Sequence, residues 1–245
     1  MAHVKRRADM DLEGAVLVEG LPGVGLVGKI ATDHLIETFD MELYGTCHCE
    51  GLARIGIYHE DQRELQSPVR IYADEERGLV ALQSDIPVDA EAVGEFSSCM
   101  TSWIESAGVL PIYLSGMPAQ KDGVPEIHGV ATAGGVGHLD ETDIPLPPEN
   151  GVISGPTGAL LSQAAEMDVD SIGLVVESDP KFPDPEAARV LIEHGISKLT
   201  DVEVDVSELV DHAEEIREQK ERLAERMQAA KEEESSKAQP LRMYQ

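Results

Sequence analysis

Residues 15–39 place three demands on the fold in one stretch. Ala15-Val16-Leu17-Val18 is a short apolar run beside Gly14, the pattern of a strand buried on both faces. Glu19-Gly20-Leu21-Pro22-Gly23-Val24-Gly25 then turns the chain. A helical pattern begins near Leu26 and keeps Ile30, His34, Ile36 and Phe39 on an apolar side through Thr38. A buried strand, a glycine turn and an amphipathic helix in succession begin a strand–helix–strand crossover. Such units build a sheet with helices on both faces.

The rest of the chain repeats that alternation. Strands are predicted at Leu43–Cys47, Arg54–Tyr58, Val69–Tyr72, Leu79–Gln83, Val109–Leu114, Gly129–Thr132 and Ser171–Val176. Asp89 reads as the N-cap of a helix running to Ala107. Gly134-Gly135-Val136-Gly137 reads as a loop, and so does the proline-rich stretch Asp143–Asn150. Pro156 opens a helix through Met167, and Pro183-Asp184-Pro185 opens another that carries Ala187, Val190, Leu191 and Ile196. The predicted architecture is a three-layer αβα domain with a mostly parallel sheet over residues 1–205.

Composition changes near Asp205. Asp205 and Glu208 fit a capping box. Leu209, Ala213, Ile216, Lys220, Leu223, Met227 and Ala230 then follow heptad spacing, so residues 206–236 are expected to form a long helix, either an amphipathic helix against the domain or a projecting helix or coiled coil. At 1.5 Å per residue such a helix spans ~45 Å. Residues 237–245 are expected to form a flexible tail that ends in Met243-Tyr244-Gln245.

Forty-seven acids face nineteen bases, for a net charge of −28. The acids are spread through nearly every block, the pattern of a surface kept soluble where salt screens repulsion, so a halophilic host is expected. Nucleic acid is not an expected partner, because phosphate binding needs basic patches. The basic start Lys5-Arg6-Arg7 has no apolar stretch behind it and no apolar run is long enough for a membrane span. A cytoplasmic chain without membrane attachment is therefore expected. The three cysteines, Cys47, Cys49 and Cys99, read as free thiols. Cys47-His48-Cys49 has no second pair to complete a metal site.

Three constellations could carry chemistry. Gly23, Gly25 and Gly28 satisfy G-x-G-x-x-G between a strand and a helix, a context compatible with a structural turn, an anion-binding loop or a dinucleotide site. Glu50 is the candidate ribose acid. Gly23, Gly28 and Lys29 also approach a phosphate-binding loop, but Ile30 stands where Ser or Thr would hold magnesium. Ser154, Ser178, His128, His138, Asp140, Glu141 and Asp143 supply hydroxyls, imidazoles and carboxylates, without a nucleophile elbow. At the terminus, Met243 offers an apolar anchor, Tyr244 an amphipathic ring and Gln245 its carboxylate.

Glu19-Gly20-Leu21-Pro22-Gly23-Val24-Gly25-Leu26-Val27-Gly28, Ile153-Ser154-Gly155-Pro156-Thr157-Gly158-Ala159-Leu160-Leu161 and Pro183-Asp184-Pro185-Glu186-Ala187-Ala188 resemble blocks of the PAC2 family, the proteasome assembly chaperones, in its archaeal form. The resemblance spans residues 11–200. It implies a fold similar to nucleoside phosphorylases and a homo-oligomer, a trimer or tetramer, that acts on the proteasome α-ring without ATP or other cofactor. The ending Met243-Tyr244-Gln245 matches the hydrophobic-Tyr-X motif of proteasome activators and assembly factors. In that motif the terminal carboxylate pairs with a lysine in a pocket between α-subunits of the 20S core. Assembly chaperone and gate-opening activator both fit. The alternatives are a ligase- or hydrolase-type enzyme, or a small-molecule or anion-binding protein using the Gly23–Gly28 loop.

Overall fold

The apolar run at residues 16–20 becomes an inner strand of an eight-stranded sheet. The computed structural model describes residues 3–49, 52–58, 63–119, 123–181 and 183–209. The heptad-spaced segment beyond Leu209 and the ending Met243-Tyr244-Gln245 lie outside the described residues, as does Glu50. In chain order the strands are β1 His3–Arg6, β2 Val16–Gly20, β3 Glu42–His48, β4 Val69–Asp74, β5 Leu79–Ser84, β6 Leu110–Pro118, β7 Ile127–Thr132 and β8 Ser171–Ser178. They lie side by side as β1-β3-β4-β5-β2-β6-β8-β7.

The sheet is mixed. Parallel pairing, expected from the strand–helix alternation, holds through β5-β2-β6-β8 at the centre. Antiparallel pairs flank it: β1, β3, β4 and β5 on one side, β7 against β8 on the other. The antiparallel flank arises because β3, β4 and β5 follow one another with no intervening helix among the described residues, and direct returns reverse strand direction. Pro111 fits near the start of β6, because pairing with β8 begins only at Ile112.

Helices form the outer layers. On one face lie α1 (Val27–Thr38) and α5 (Pro185–Leu191), which continues through a π-helical turn at Ile192–Ile196 into α6 (Ser197–Thr200). On the other lie α2 (Val93–Ala107) and α4 (Gly155–Glu166). A short α3 (Gly135–Asp140) packs beside β7 and β8. Each face encloses its own apolar core, one around Leu35, Ile112, Leu174 and Ile192, the other around Leu17, Ile71, Phe96 and Leu160. Val206 and Leu209, at the start of the charged C-terminal segment, are buried in the first core. Asp205 accepts from the Ser207 N–H at 3.0 Å, a contact two residues on and not the reciprocal Asp205–Glu208 pair of a capping box.

Local expectations change at four places. The Arg54–Tyr58 strand reduces to one bridge, Ile57 with Gln66. The Asp89 carbonyl accepts from the Ala92 N–H in a turn, and the helix starts afterwards at Val93. Gly134–Gly137 enters α3 instead of forming a loop, held where Asp170 accepts from the Gly134 N–H at 2.7 Å. The cysteines are not all free. Cys47 and Cys49 share one face at the end of β3, α2 crosses that face, and Cys99 is disulfide-bonded to Cys49 with Cα atoms 6.1 Å apart. Cys47 remains a buried thiol beside Met100, and burial pushes its pKa up to about 12. Among the described residues no helix is long and apolar enough to cross a membrane.

Candidate functional site

The carboxyl ends of β2 and β6 open into a cleft of about 1070 Å³. This is where ligand sites form in open α/β sheets. Gly23, Val24 and Gly28 line it from the glycine loop, Ser115 and Met117 from β6, His128 and Thr132 from β7. The proline-rich segment Pro147–Ile153 and the first turn of α4 complete the wall.

The glycine loop divides its labour. Gly25 turns away from the cleft. It adopts φ +62°, and a Cβ there would meet Ser178 Oγ at 1.9 Å, so both backbone and space demand glycine. Its carbonyl accepts from the Asp184 N–H at 2.8 Å. The Asp184 carboxylate in turn accepts from the Ser178 hydroxyl, the Asp179 N–H and the Ala187 N–H, and so caps α5. Gly28 lets α1 approach the sheet, with Glu19 O and Leu114 Cβ each 3.3 Å from where its Cβ would sit. Gly23 has open space around it and faces the cleft. Of the three glycines named as an anion loop, Gly23 and Gly28 therefore line the cleft and Gly25 locks the loop to β8.

Lys29 follows Gly28 as in a phosphate-binding loop, but its ammonium is engaged by Asp33 at 2.8 Å and Asp85 at 3.6 Å. Asp85 also accepts from the buried Arg70 guanidinium at 2.6 Å and from the Gln83 amide at 2.9 Å. Burial opposes the Asp85 charge, yet Arg70 and Gln83 outweigh it and hold the carboxyl below its ordinary range.

Behind the cleft wall lies a feature that the sequence motifs did not single out. Glu19 is fully buried. Its carboxylate accepts from the Leu21 N–H at 2.9 Å, the Leu114 N–H at 3.3 Å and the Thr157 hydroxyl at 3.2 Å. One side chain thus ties the β2 turn, β6 and α4, three elements that line the cleft. Burial raises its pKa to about 7, despite these three donors. Tyr113, its register neighbour on β6, is also buried, and its hydroxyl has no hydrogen-bond partner among the described residues. Burial, and then the Glu19 charge, push the Tyr113 pKa up. The signal was an acid closing an otherwise apolar strand, Val16-Leu17-Val18-Glu19.

The remaining candidates do not converge. His128 is buried at the cleft, with Nε2 3.8 Å from Glu126, whereas His138 is exposed on α3. Ser154 precedes α4, Ser178 is buried against Asp184, and Asp143 pairs with Lys198 on α6. Among the described residues the hydroxyl–histidine contacts are Thr38 with His34 and Thr46 with His48, neither in the cleft. No described cluster of His, Cys, Asp and Glu is placed to hold a metal ion.

A parallel centre with antiparallel flanks, helices on both faces and a strand-end cleft define a three-layer α/β domain. The PAC2 family model matches residues 17–224, and the chain belongs to the PAC2 family. The crystal structure of PbaA from Pyrococcus furiosus, an archaeal homolog of proteasome-assembly chaperone, superposes with a TM-score of 0.78 over 96% of both chains at 26% identity. PbaB from Pyrococcus furiosus, an archaeal proteasome activator, has a TM-score of 0.75 over 91% of this chain and 98% of its own, at 22% identity. Proteasome assembly chaperone 2 of Danio rerio is 29% identical over 124 residues, 48% of each chain.

Proposed function

We propose that the chain is a non-catalytic, ATP-independent factor that docks on the α-ring of the 20S proteasome core, as an assembly chaperone or an activator. The observation that carries this reading is the likeness to PbaA over 96% of both chains, and the proposed docking segment is Met243-Tyr244-Gln245. Met243 supplies the apolar anchor, Tyr244 the orientation and the Gln245 carboxylate the charge for a lysine on the α-ring. A single short tail binds weakly, because ordering it costs conformational entropy. A homo-oligomer, trimeric or tetrameric, presents several tails and gains avidity. Residues 206–236, as a projecting helix, carry the tails away from the α/β domain. The dispersed negative charge suits a salt-rich cytoplasm.

Deletion of Met243–Gln245 tests this. Capture of separate α-subunits and of mature core particle by the full chain is expected, with both lost in the truncated chain and its oligomeric state unchanged. Undiminished capture by the truncated chain would refute tail docking. Capture of free α-subunits alone identifies an assembly factor, and capture of the mature core identifies an activator.

A second reading has one observation in its favour. The cleft is in the size range of small-molecule sites, and Gly23 and Gly28 face it. On that reading the domain binds a small ligand or anion. Unchanged thermal unfolding across a panel of nucleotides and inorganic phosphate would remove it.

A further inference from the structure

Among the described residues Lys5 and Arg7 form a cationic edge without carboxylate partners in an acidic protein. β1 is, among the described residues, an edge strand, paired with β3 alone. His3, Lys5 and Arg7 are exposed along it, and the His3 ring stacks on His48 with centroids 5.5 Å apart. Forty-seven acids were available to neutralise this strip. Among the described residues Lys5 and Arg7 nevertheless have no ion pair, whereas Arg6, on the alternate position, pairs with Asp9 at 3.0 Å and lies over the Tyr44 ring. Elsewhere on the domain Lys29, Arg70, Arg77, Arg189 and Lys198 have carboxylate partners. Of the described cations Arg54, Arg63 and Lys181 share the unpaired state of Lys5 and Arg7 but stand apart from one another in sequence, not on one strand.

The local field is positive. Burial first, and then the charges of His3, Lys5 and Arg7, hold the His48 imidazole below its ordinary value. The backbone of the same edge is open among the described residues. The Arg7 N–H donates to Tyr44 O at 2.7 Å. By the two-residue alternation of an antiparallel pair, Lys5 and His3 also bond inward, and the N–H and C=O of Val4 and Arg6 face outward. An edge with free donors and acceptors accepts another extended chain, and side chains on alternate positions choose which.

We propose that β1 is a docking edge for an acidic, extended segment of a partner protein. The segment adds beside β1 as a ninth strand and lays alternate carboxylates over Lys5 and Arg7. The occupant is fixed by charge complementarity: Lys5 and Arg7 are cations without carboxylate partners among the described residues, and the backbone between them offers strand pairing. This surface is independent of the C-terminal tail, so either can fail without the other.

The test uses the full chain and a fluorescent peptide of alternating glutamate and valine, read by anisotropy at two salt concentrations. Saturable binding that weakens with salt is expected. Lys5→Gln/Arg7→Gln should lower the affinity at least about tenfold by removing the charges. Val4→Pro should lower it comparably by removing an outward donor and no ladder bond. Both variants should keep the wild-type unfolding temperature. Equal peptide affinity in wild type and variants would overturn the proposal. So would equal binding of the lysine-for-glutamate peptide, tighter binding of a single-stranded oligonucleotide, or self-association of the chain that Lys5→Gln/Arg7→Gln dissolves.

Discussion

The Thr157 hydroxyl meets the Glu19 carboxylate across 138 residues of sequence, 3.2 Å from Oε2 and 3.4 Å from Oε1. With the Leu21 and Leu114 amides on the same carboxylate, the contact joins the first turn of α4 to the ends of β2 and β6. The wall of the cleft therefore rests on one ionisable group.

That group sets a pH dependence. Its pKa is about 7 in the folded chain against an ordinary 4.5, so the folded state holds the proton more tightly. Stability attributable to Glu19 is greatest below 4.5 and falls as pH rises to about 7, by an order of about 3 kcal/mol. Thermal unfolding between pH 5 and 8, compared with Glu19→Gln, is expected to show a steeper decline in the wild type. Parallel profiles would contradict the burial of this carboxyl.

The glycine loop makes a graded prediction. Gly25→Ala forces a left-handed alanine into Ser178 and should cost about 3 kcal/mol or more in denaturant unfolding. Gly23→Ala places its methyl in open space and should stay within about 1 kcal/mol of wild type. A loop in which all three glycines served only a bound ligand would show no such contrast in the ligand-free protein.

Arg70 is buried beside Asp85 and also donates to Ser67 O and Tyr72 Oη. Arg70→Met removes the shortest ion pair of Asp85, leaving it the Gln83 amide and the Lys29 ammonium at 3.6 Å, and should destabilise the fold by about 3 kcal/mol. Since Asp85 titrates below its ordinary 3.8, the stability it contributes is present above that pH and is lost as pH falls through its lowered value. The destabilisation by Arg70→Met should accordingly shrink in acid, and urea unfolding at pH 3 and pH 7 measures the difference.

The disulfide predicts a thiol count. Alkylation of the unfolded, unreduced chain should modify Cys47 alone, and reduction should expose Cys49 and Cys99 as well. Cys49→Ser/Cys99→Ser should lower stability by about 3 kcal/mol. Three modified cysteines without reduction would refute the bond.

What was legible in the sequence follows from which interactions are local. The parallel strands β2, β6 and β8 are buried on both sides and show continuous apolar runs, and α4 and α5 carry proline in their first turns, so both could be read one segment at a time. β1 could not. His3-Val4-Lys5-Arg6 has one apolar residue, and only pairing with β3 makes it a strand. α3 begins Gly135-Val136-Gly137, poor helix formers held by Asp170 from the far end of another connection. Cys49 and Cys99 meet because α2 crosses β3, a relation absent from either local pattern. The cleft was half legible: the glycine loop and the Ser154–Gly158 turn were singled out, while Glu19 was seen only as the first letter of a motif. Its role depends on Leu114 and Thr157, which reach it from elsewhere in the fold.

The Cys49–Cys99 bond has a mechanical consequence. It closes a covalent ring over a sequence separation of 50 that contains β4 and β5. An oxidised chain drawn through a narrow pore from either end reaches this ring and must pass two segments abreast. A pore that admits only one extended strand stalls at Cys99 or Cys49, depending on the end pulled. Reduction removes the ring and leaves a chain that threads in single file.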